Sequence, residues 1–311
     1  MELIGNKKTI KLLDKIVVEN KLANAYLFLG PESVGKFTAA LAFAKKLTNK
    51  DGMGSTDSTD STSSPQASSL LTINPDLIVI EPEVEEKKGI VKKLDIKIEA
   101  IRDLQHKLSL TSINEKYKIV IIDSAERLNK TAQNALLKTL EEPNEKVCLI
   151  LIAQNERKIL PTIGSRCQKI RFGLVTDVEI EKMAPSGHKN MQEIIFWSIG
   201  RPGIALDLIN DPTTLEYQRK TLREFADLFA KNLSEKFSLA EIWTKDVTEL
   251  LMRMDLWLTI LRESMLGKDA MVNISSSKAL QLIEWIAESK QLIRETNSNP
   301  RLILENLFLK F

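Results

Sequence analysis

A glycine-rich turn between an apolar strand and a helix is the feature that most constrains this chain. Residues 30–36, GPESVGK, fit the first seven positions of the phosphate-binding pattern G-x-x-x-x-G-K-[ST]. In that pattern the backbone N–H groups and the lysine hold phosphates. The apolar run AYLFL comes before the turn, and FTAALAFAKKL follows it with apolar residues at helical spacing. Strand, loop and helix in this order predict an α/β domain of the P-loop NTPase type.

The position after the lysine departs from the pattern. Phe37 stands where P-loop NTPases carry the serine or threonine hydroxyl that binds Mg²⁺. A phenyl ring offers no oxygen ligand, and Mg²⁺ is bound by oxygen ligands. Lys36 and the loop amides could still hold phosphates without a metal, so weak binding of ATP stays open. No bound metal is predicted.

Length and composition favour a soluble protein of more than one domain. The 311 residues fit roughly two or three domains, and no apolar run approaches the roughly 18 residues of a membrane helix. The N-terminus lacks the pattern of a secretory signal, and Cys148 and Cys167 are too few for a disulfide framework. We therefore expect a cytoplasmic protein with no membrane partner. The formal charge of +2 gives no global field, and no cluster of basic and aromatic residues points to nucleic acid.

Apolar strands alternate with amphipathic helices through about residue 172. Beyond the first strand, further strands are predicted at residues 76–82, 116–123 and 147–153. This alternation predicts a parallel sheet with helices on both faces. Residues 51–69, rich in Ser, Thr and Asp, are predicted to be a disordered surface insertion. After Phe172 the remaining segments are amphipathic helical patterns, so we expect the second half to be all-α.

One aspartate lies where a P-loop enzyme would bind magnesium. Asp123 ends the strand KYKIVIID, and open α/β sheets bind ligands at the carboxyl ends of their strands. It is therefore the candidate Walker B aspartate. The alternative is an aspartate that merely opens a turn.

Several longer segments and two short motifs carry a family resemblance. The segments are LIGNKKTIKLLDKIVVENKLANAYLFLGPESVGK, KYKIVIIDSAERLNKTAQNALLKTLEEP and LILIAQNERKILPTIGSRCQKIRF. The motifs are Ser-Arg-Cys at residues 165–167 and Gly-Arg-Pro-Gly at residues 200–203. Together they resemble the clamp-loader branch of AAA+ proteins, most closely the delta-prime subunits of bacterial DNA polymerase III. The similarity covers roughly residues 3–210.

The resemblance implies roles for individual polar residues. Arg166 would be an arginine finger presented to the nucleotide of a neighbouring subunit, a role that suits a planar, permanently charged guanidinium. The alternative is an arginine at a strand edge paired with a carboxylate. Asn155 would be the polar sensor 1 residue and Arg201 the sensor 2 residue, although Arg201 could instead cap a helix of the lid. The nucleotide site itself would comprise Gly30, Gly35, Lys36, Asp123, Asn155 and Arg201.

Departures from the family pattern point away from catalysis. In AAA+ enzymes an acid that orients water usually follows the Walker B aspartate, but here the residue is Ser124. A serine is no general base near neutral pH without a partner, and Glu126 is a poor substitute because it lies in the next turn. With Phe37 also changed, the ATPase site is predicted to be degenerate. Many relatives bind zinc through four cysteines in the region of residues 51–69, where this chain has none, so no zinc is expected.

The resemblance also implies an architecture and a function. It divides the chain into an AAA+ α/β P-loop domain (1–172), a small helical lid (173–212) and an all-α oligomerisation collar (213–311). The expected function is that of a non-hydrolysing delta-prime-like subunit, part of the DNA polymerase III holoenzyme but not its polymerising subunit. Its partners would be gamma/tau and delta subunits and, through the complex, the sliding clamp and primer-template DNA. The alternatives are an ATP-hydrolysing gamma/tau-like subunit and an unrelated P-loop enzyme.

Overall fold

The computed structural model of this protein describes most of the chain. The described residues are 4–48, 76–87, 90–109, 117–142, 146–185, 187–267, 274–296 and 298–311. The predicted insertion at residues 51–69 lies outside them. The described residues group into two compact units, the first drawn from residues 1–84, 93–183 and 200–203, the second from residues 85–92, 184–199 and 204–311.

The first unit is built on a parallel sheet. The strands in the described part of the chain are β1 (Ala25–Leu29), β2 (Leu77–Ile80), β3 (Val84–Lys87), β4 (Ile90–Lys93), β5 (Lys118–Ile122), β6 (Val147–Ala153) and β7 (Gln168–Arg171). Five of them form one sheet in the order β2-β5-β6-β1-β7, and each neighbouring pair is parallel. The predicted parallel α/β sheet is confirmed. The other two strands, β3 and β4, pair with each other.

The helices of the chain fall into an early and a late group. The early group is α1 (Lys7–Val18), α2 (Lys36–Thr48), α3 (Ile98–Ser109), α4 (Lys130–Glu141), α5 (Pro161–Gly164) and α6 (Asp177–Glu181). The late group is α7 (Met191–Ser198), α8 (Pro202–Asn210), α9 (Pro212–Leu228), α10 (Leu233–Trp243), α11 (Val247–Met265), α12 (Ser276–Glu295) and α13 (Pro300–Phe308).

The two faces of the sheet pack into separate apolar cores. Successive side chains of a strand point to opposite faces, so β1 contributes to both. Leu27 lies in the core shared with α3 and α4, whereas Tyr26 and Phe28 lie in the core shared with α1 and α2. All residues of β1, β5 and β6 are buried, which explains their continuous apolar runs.

The strand β7 was not predicted from the sequence. Of its four residues only Ile170 is buried, and the others are polar and exposed. It lies at the edge of the sheet beside β1, where only one neighbour pairs with it. An edge strand this short and polar carries no clear apolar signal.

After Phe172 the described residues contain helices and turns and no strand, which confirms the all-α expectation for the second half. The core of the second unit is aromatic, since Phe225, Trp243, Trp257 and Phe308 pack against one another. The division into a lid at residues 173–212 and a collar at residues 213–311 stays a prediction. No helix of the described chain is both long and apolar enough to span a membrane.

A buried cation ties two of the late helices together. Arg253 of α11 is 3% exposed and pairs with Glu224 of α9 and with Glu249 one turn earlier in its own helix. Its guanidinium also stacks on the Trp243 ring, 4.4 Å from the ring centroid. A buried charge is tolerated when it is paired in this way.

Gly30 should be intolerant of any side chain. Its φ is +152°, and a Cβ there would lie 2.2 Å from the carbonyl oxygen of Phe172. We expect Gly30→Ala to lower the free energy of unfolding by more than about 2 kcal/mol in urea denaturation, because backbone would have to move. The control is Gly173→Ala, where the added Cβ meets nothing within 4 Å. Equal stability of the two variants would contradict the close approach.

Candidate nucleotide site

The phosphate loop connects the carboxyl end of β1 to α2. Three of its residues have positive φ, Gly30 with +152°, Ser33 with +60° and Gly35 with +89°. The N–H of Gly30 donates to the carbonyl of Ala153 at the end of β6 over 3.3 Å. Such a loop presents backbone N–H groups at a helix N-terminus, which is the arrangement that binds phosphate in P-loop proteins.

The ammonium of Lys36 is bound by the loop itself. Its Nζ donates to the carbonyl oxygen of Gly30 over 2.7 Å and also to that of Pro31. Lys36 is only 6% exposed. Burial lowers the pKa of this ammonium, and the carboxylates of Asp123, Glu126 and Glu32 oppose the shift. The charge that would hold a phosphate is therefore already hydrogen-bonded inside the protein.

The side chain of Phe37 is part of the apolar packing. It is half-buried and packs against the core that contains Tyr26 and Phe28, on the face of the sheet that α1 and α2 cover. The ring therefore contributes to stability at a position where catalytic relatives of the motif place a hydroxyl on Mg²⁺. This position supplies no metal ligand.

Acidic residues follow the carboxyl ends of two neighbouring strands, Glu81 after β2 and Asp123 after β5. The backbone N–H of Asp123 donates to the carbonyl oxygen of Ile80 in β2 over 2.9 Å. This bond fixes the position of the Asp123 backbone. Burial raises the pKa of the neighbouring Glu81 carboxyl, and Asp123 raises it further while Lys93 lowers it. Among the described residues, no three His, Cys, Asp or Glu side chains are placed to hold a metal ion.

Ser124 takes a conformation that suits a turn. Its φ is +51°, and the residue is buried, with 8% of its surface exposed. The hydroxyl Oγ lies 3.5 Å from Asp123 Oδ2, the outer limit of a hydrogen bond. Glu126 is engaged elsewhere, because its carboxylate accepts from the backbone N–H of Gln154 over 3.4 Å. That neither side chain activates water stays a prediction.

The side chain of Asn155 caps the short turn that follows it. Its side-chain oxygen accepts from the backbone N–H of Arg157 over 3.0 Å and caps a short 3₁₀ turn at residues 156–158. The residue is exposed and lies two positions after the end of β6. Its side-chain oxygen is used as a cap, and its sensor 1 role stays a prediction.

The Gly-Arg-Pro-Gly segment lies directly on the phosphate loop. The N–H of Gly203 donates to the carbonyl of Ser33 over 2.9 Å, and a Cβ on Gly203 would come within 3.1 Å of that oxygen. Arg201 precedes α8 and is half-buried. Its Nε is buried and finds no hydrogen-bond partner within the described residues. The sequence placed Arg201 near the site but gave no sign of the Gly203 contact.

Arg166 is a paired surface residue in this chain. Its Nη2 donates to Glu141 of α4 over 2.9 Å, and its Nη1 donates to the carbonyl of Thr162 over 3.0 Å. The side chain remains 38% exposed. This is the carboxylate-paired arrangement that the sequence left open as the alternative. Such an exposed pair is worth at most about 1 kcal/mol and can be exchanged for another anion.

The neighbouring cysteine anchors this arginine to the core. Cys167 is buried in the core shared with α3 and α4, and both cysteines of the chain are free thiols. Burial raises the pKa of Cys167 to about 11 and that of Cys148 to about 12. Thiols held neutral in this way are packing groups and poor metal ligands.

Residues 5–176 match the family model described as DNA polymerase III, delta subunit. This match covers more than half of the chain. The chain belongs to this family. The resemblance to delta-prime subunits is confirmed by relatives of that name, and the family is that of the DNA polymerase III clamp-loader subunits.

Individual relatives cover different shares of the chain. The delta-prime subunit of Bacillus subtilis is 33% identical over 165 residues, which is 53% of this chain and 46% of that protein. The tau subunit of the same species is 33% identical over 180 residues, 58% of this chain and 30% of that protein. The delta-prime subunit of Pseudomonas aeruginosa is 28% identical over 313 residues, 93% of this chain and 92% of that protein. The chain thus spans less than half of the two Bacillus proteins and most of the Pseudomonas one.

Proposed function

We propose that this chain is a delta-prime-like subunit of a bacterial clamp loader, acting in the cytoplasm, that does not itself hydrolyse ATP. The observation that carries the proposal is the packing of the half-buried Phe37 ring against the core at the position of the magnesium hydroxyl. Rebuilding a metal site there would require both a new oxygen ligand and the loss of the packing that this ring makes against the core. The site residues Gly30, Gly35, Lys36 and Asp123 are then a remnant of a nucleotide site.

Electrostatics around the loop support the same proposal. Glu32, Asp123 and Glu126 lie close enough to Lys36 to influence its pKa, and Glu81 is coupled to Asp123. Without a divalent cation these carboxylates oppose the approach of a triphosphate. Lys36 offsets this only in part, because its ammonium is hydrogen-bonded to two loop carbonyls. Any ATP that binds does so weakly.

Arg166 is the one group that we propose acts in phosphoryl transfer, and it acts on a neighbouring subunit. The support is its position in the Ser-Arg-Cys motif, its partial exposure and its single carboxylate partner Glu141. A guanidinium that can leave a surface carboxylate for a phosphate gains a stronger, charge-assisted bidentate contact. Within the assembled ring it would contribute to hydrolysis in trans.

The partners that we propose follow from the family. Delta-prime, gamma and tau subunits of DNA polymerase III are among the relatives of this chain, which supports assembly with gamma/tau and delta subunits. The sliding clamp and primer-template DNA would be reached through that complex. We assign residues 1–172 to the AAA+ domain, 173–212 to the lid and 213–311 to the collar that holds the subunits together.

A hydrolysing gamma/tau-like subunit is the second candidate. The observation in its favour is the similarity to the Bacillus subtilis tau subunit, whose identity of 33% equals that of the delta-prime subunit from the same species. Phe37 and Ser124 stand against it, because metal binding and water activation both require other residue types.

The purified chain should hydrolyse ATP far more slowly than the roughly 1 to 1000 turnovers per second of ordinary enzymes. The reason is that neither Phe37 nor Ser124 supplies the metal ligand or the base. Phosphate release at saturating MgATP measures this, with Lys36→Ala as the control for a contaminating ATPase. Turnover within the ordinary range that disappears in Lys36→Ala would establish the gamma/tau-like alternative.

Arg166→Ala should slow DNA-stimulated ATP hydrolysis by the reconstituted complex without impairing assembly. An arginine finger contributes roughly 1000-fold or more at its own site, and the loss in the whole complex should be smaller because only one site depends on it. Arg171→Ala is the matched control, since Arg171 is also an exposed arginine paired with a carboxylate, that of Glu156. Glu141→Gln releases Arg166 and should preserve hydrolysis. If Arg166→Ala and Arg171→Ala assemble and turn over alike, the trans role is refuted.

A further inference from the structure

One face of α1 is a stripe of lysines. Lys7, Lys8, Lys11 and Lys15 occupy positions i, i+1, i+4 and i+8 of the helix, which places them within about 100° of arc. The first three are exposed residues, and the side chain of Lys15 is 68% exposed. The stripe extends about 12 Å along the helix axis. We call these four residues the α1 lysine stripe.

The opposite face of the same helix is committed to the protein core. Leu13 is 4% exposed and Ile16 is 7% exposed, and both belong to the core on the α1 and α2 side of the sheet. The helix therefore cannot turn its apolar residues toward a bilayer without leaving the sheet. A membrane-surface helix binds by burying its apolar face among lipids, so this geometry argues against a lipid partner.

The charges of the stripe are little compensated by the protein. Lys15 approaches Glu19 at 3.5 Å, but that carboxylate is also shared with Lys21 at 3.0 Å. Asp14, the acid within the helix, is paired with Lys46 of α2. Within the described residues, no ion pair involves Lys7, Lys8 or Lys11. The stripe is thus a local concentration of positive charge on a chain whose formal net charge is only +2.

We propose that the α1 lysine stripe binds the phosphate backbone of nucleic acid, independently of the nucleotide site and of Arg166. Protein interfaces are depleted in lysine and enriched in aromatic residues and arginine, and α1 contains neither. Lysine instead acts as a mobile point charge on phosphates. Successive lysines one turn apart, about 6 Å along the axis, can follow a strand that carries one phosphate about every 3.4 Å. With no base-reading side chain in the stripe, the contact is independent of sequence.

The test is the binding of a fluorescein-labelled DNA duplex to the full chain, followed by fluorescence anisotropy over a series of salt concentrations. The test variant is Lys7→Gln, Lys8→Gln and Lys11→Gln combined. The matched control combines Lys182→Gln, Lys189→Gln and Lys245→Gln, which removes the same charge from exposed lysines outside α1. Far-ultraviolet circular dichroism confirms that both variants are folded, as expected for exposed residues.

The test variant should bind the duplex at least about tenfold more weakly near 0.1 M salt, and its log K against log salt slope should be shallower by about 2 to 3. The control variant should match the wild type in both quantities. Absence of duplex binding by the wild type, or equal losses in the two variants, overturns the proposal. So does preferential binding to anionic lipid vesicles over the duplex. None of these outcomes bears on the ATP turnover or Arg166 experiments, so the proposed function stands or falls separately.

Discussion

The hydrogen bonds between Lys36 and its own loop are the constraint on which the account of the site depends. A buried ammonium needs partners, and here two backbone carbonyls, those of Gly30 and Pro31, provide them. In a P-loop that holds nucleotide, the same lysine reaches the outer phosphates. Here the lysine donates to its own loop, and the ring of Phe37 packs against the core on the α1 and α2 side of the sheet. In the function that we propose, the phosphate loop keeps its shape while its ligand-binding groups serve the fold.

This arrangement also links the loop to the segment that follows the sheet. Gly203 donates to Ser33, and Gly200 accepts from Val175, so the Gly-Arg-Pro-Gly segment is attached at both ends. These bonds involve the backbone and not the side chain of Arg201, whose sensor 2 role stays a prediction. Arg166 is paired with Glu141 within the chain. The role that we propose for it is toward a neighbouring subunit.

Much of the fold could be predicted because β1, β5 and β6 are buried on both faces and read as continuous apolar runs. The edge strand β7 and the paired strands β3 and β4 could not be predicted, since polar residues make up most of their sequence. The motif located the phosphate loop, yet the bonds of Lys36 to the carbonyls of that loop depend on its backbone conformation and cannot be read from residue spacing. The α1 lysine stripe was missed for a different reason, because only the helical phase brings its members to one side.

The most direct test of the central claim is the affinity for ATP with and without magnesium, measured by isothermal titration calorimetry on the isolated chain. If Phe37 and the bound Lys36 have removed the metal-nucleotide site, binding should be weak or absent and should not depend on Mg²⁺. Phe37→Thr gives the comparison, because it restores the missing hydroxyl. ATP affinity of the wild type that rises tenfold or more on adding Mg²⁺, a gain of about 1.4 kcal/mol, would contradict the account.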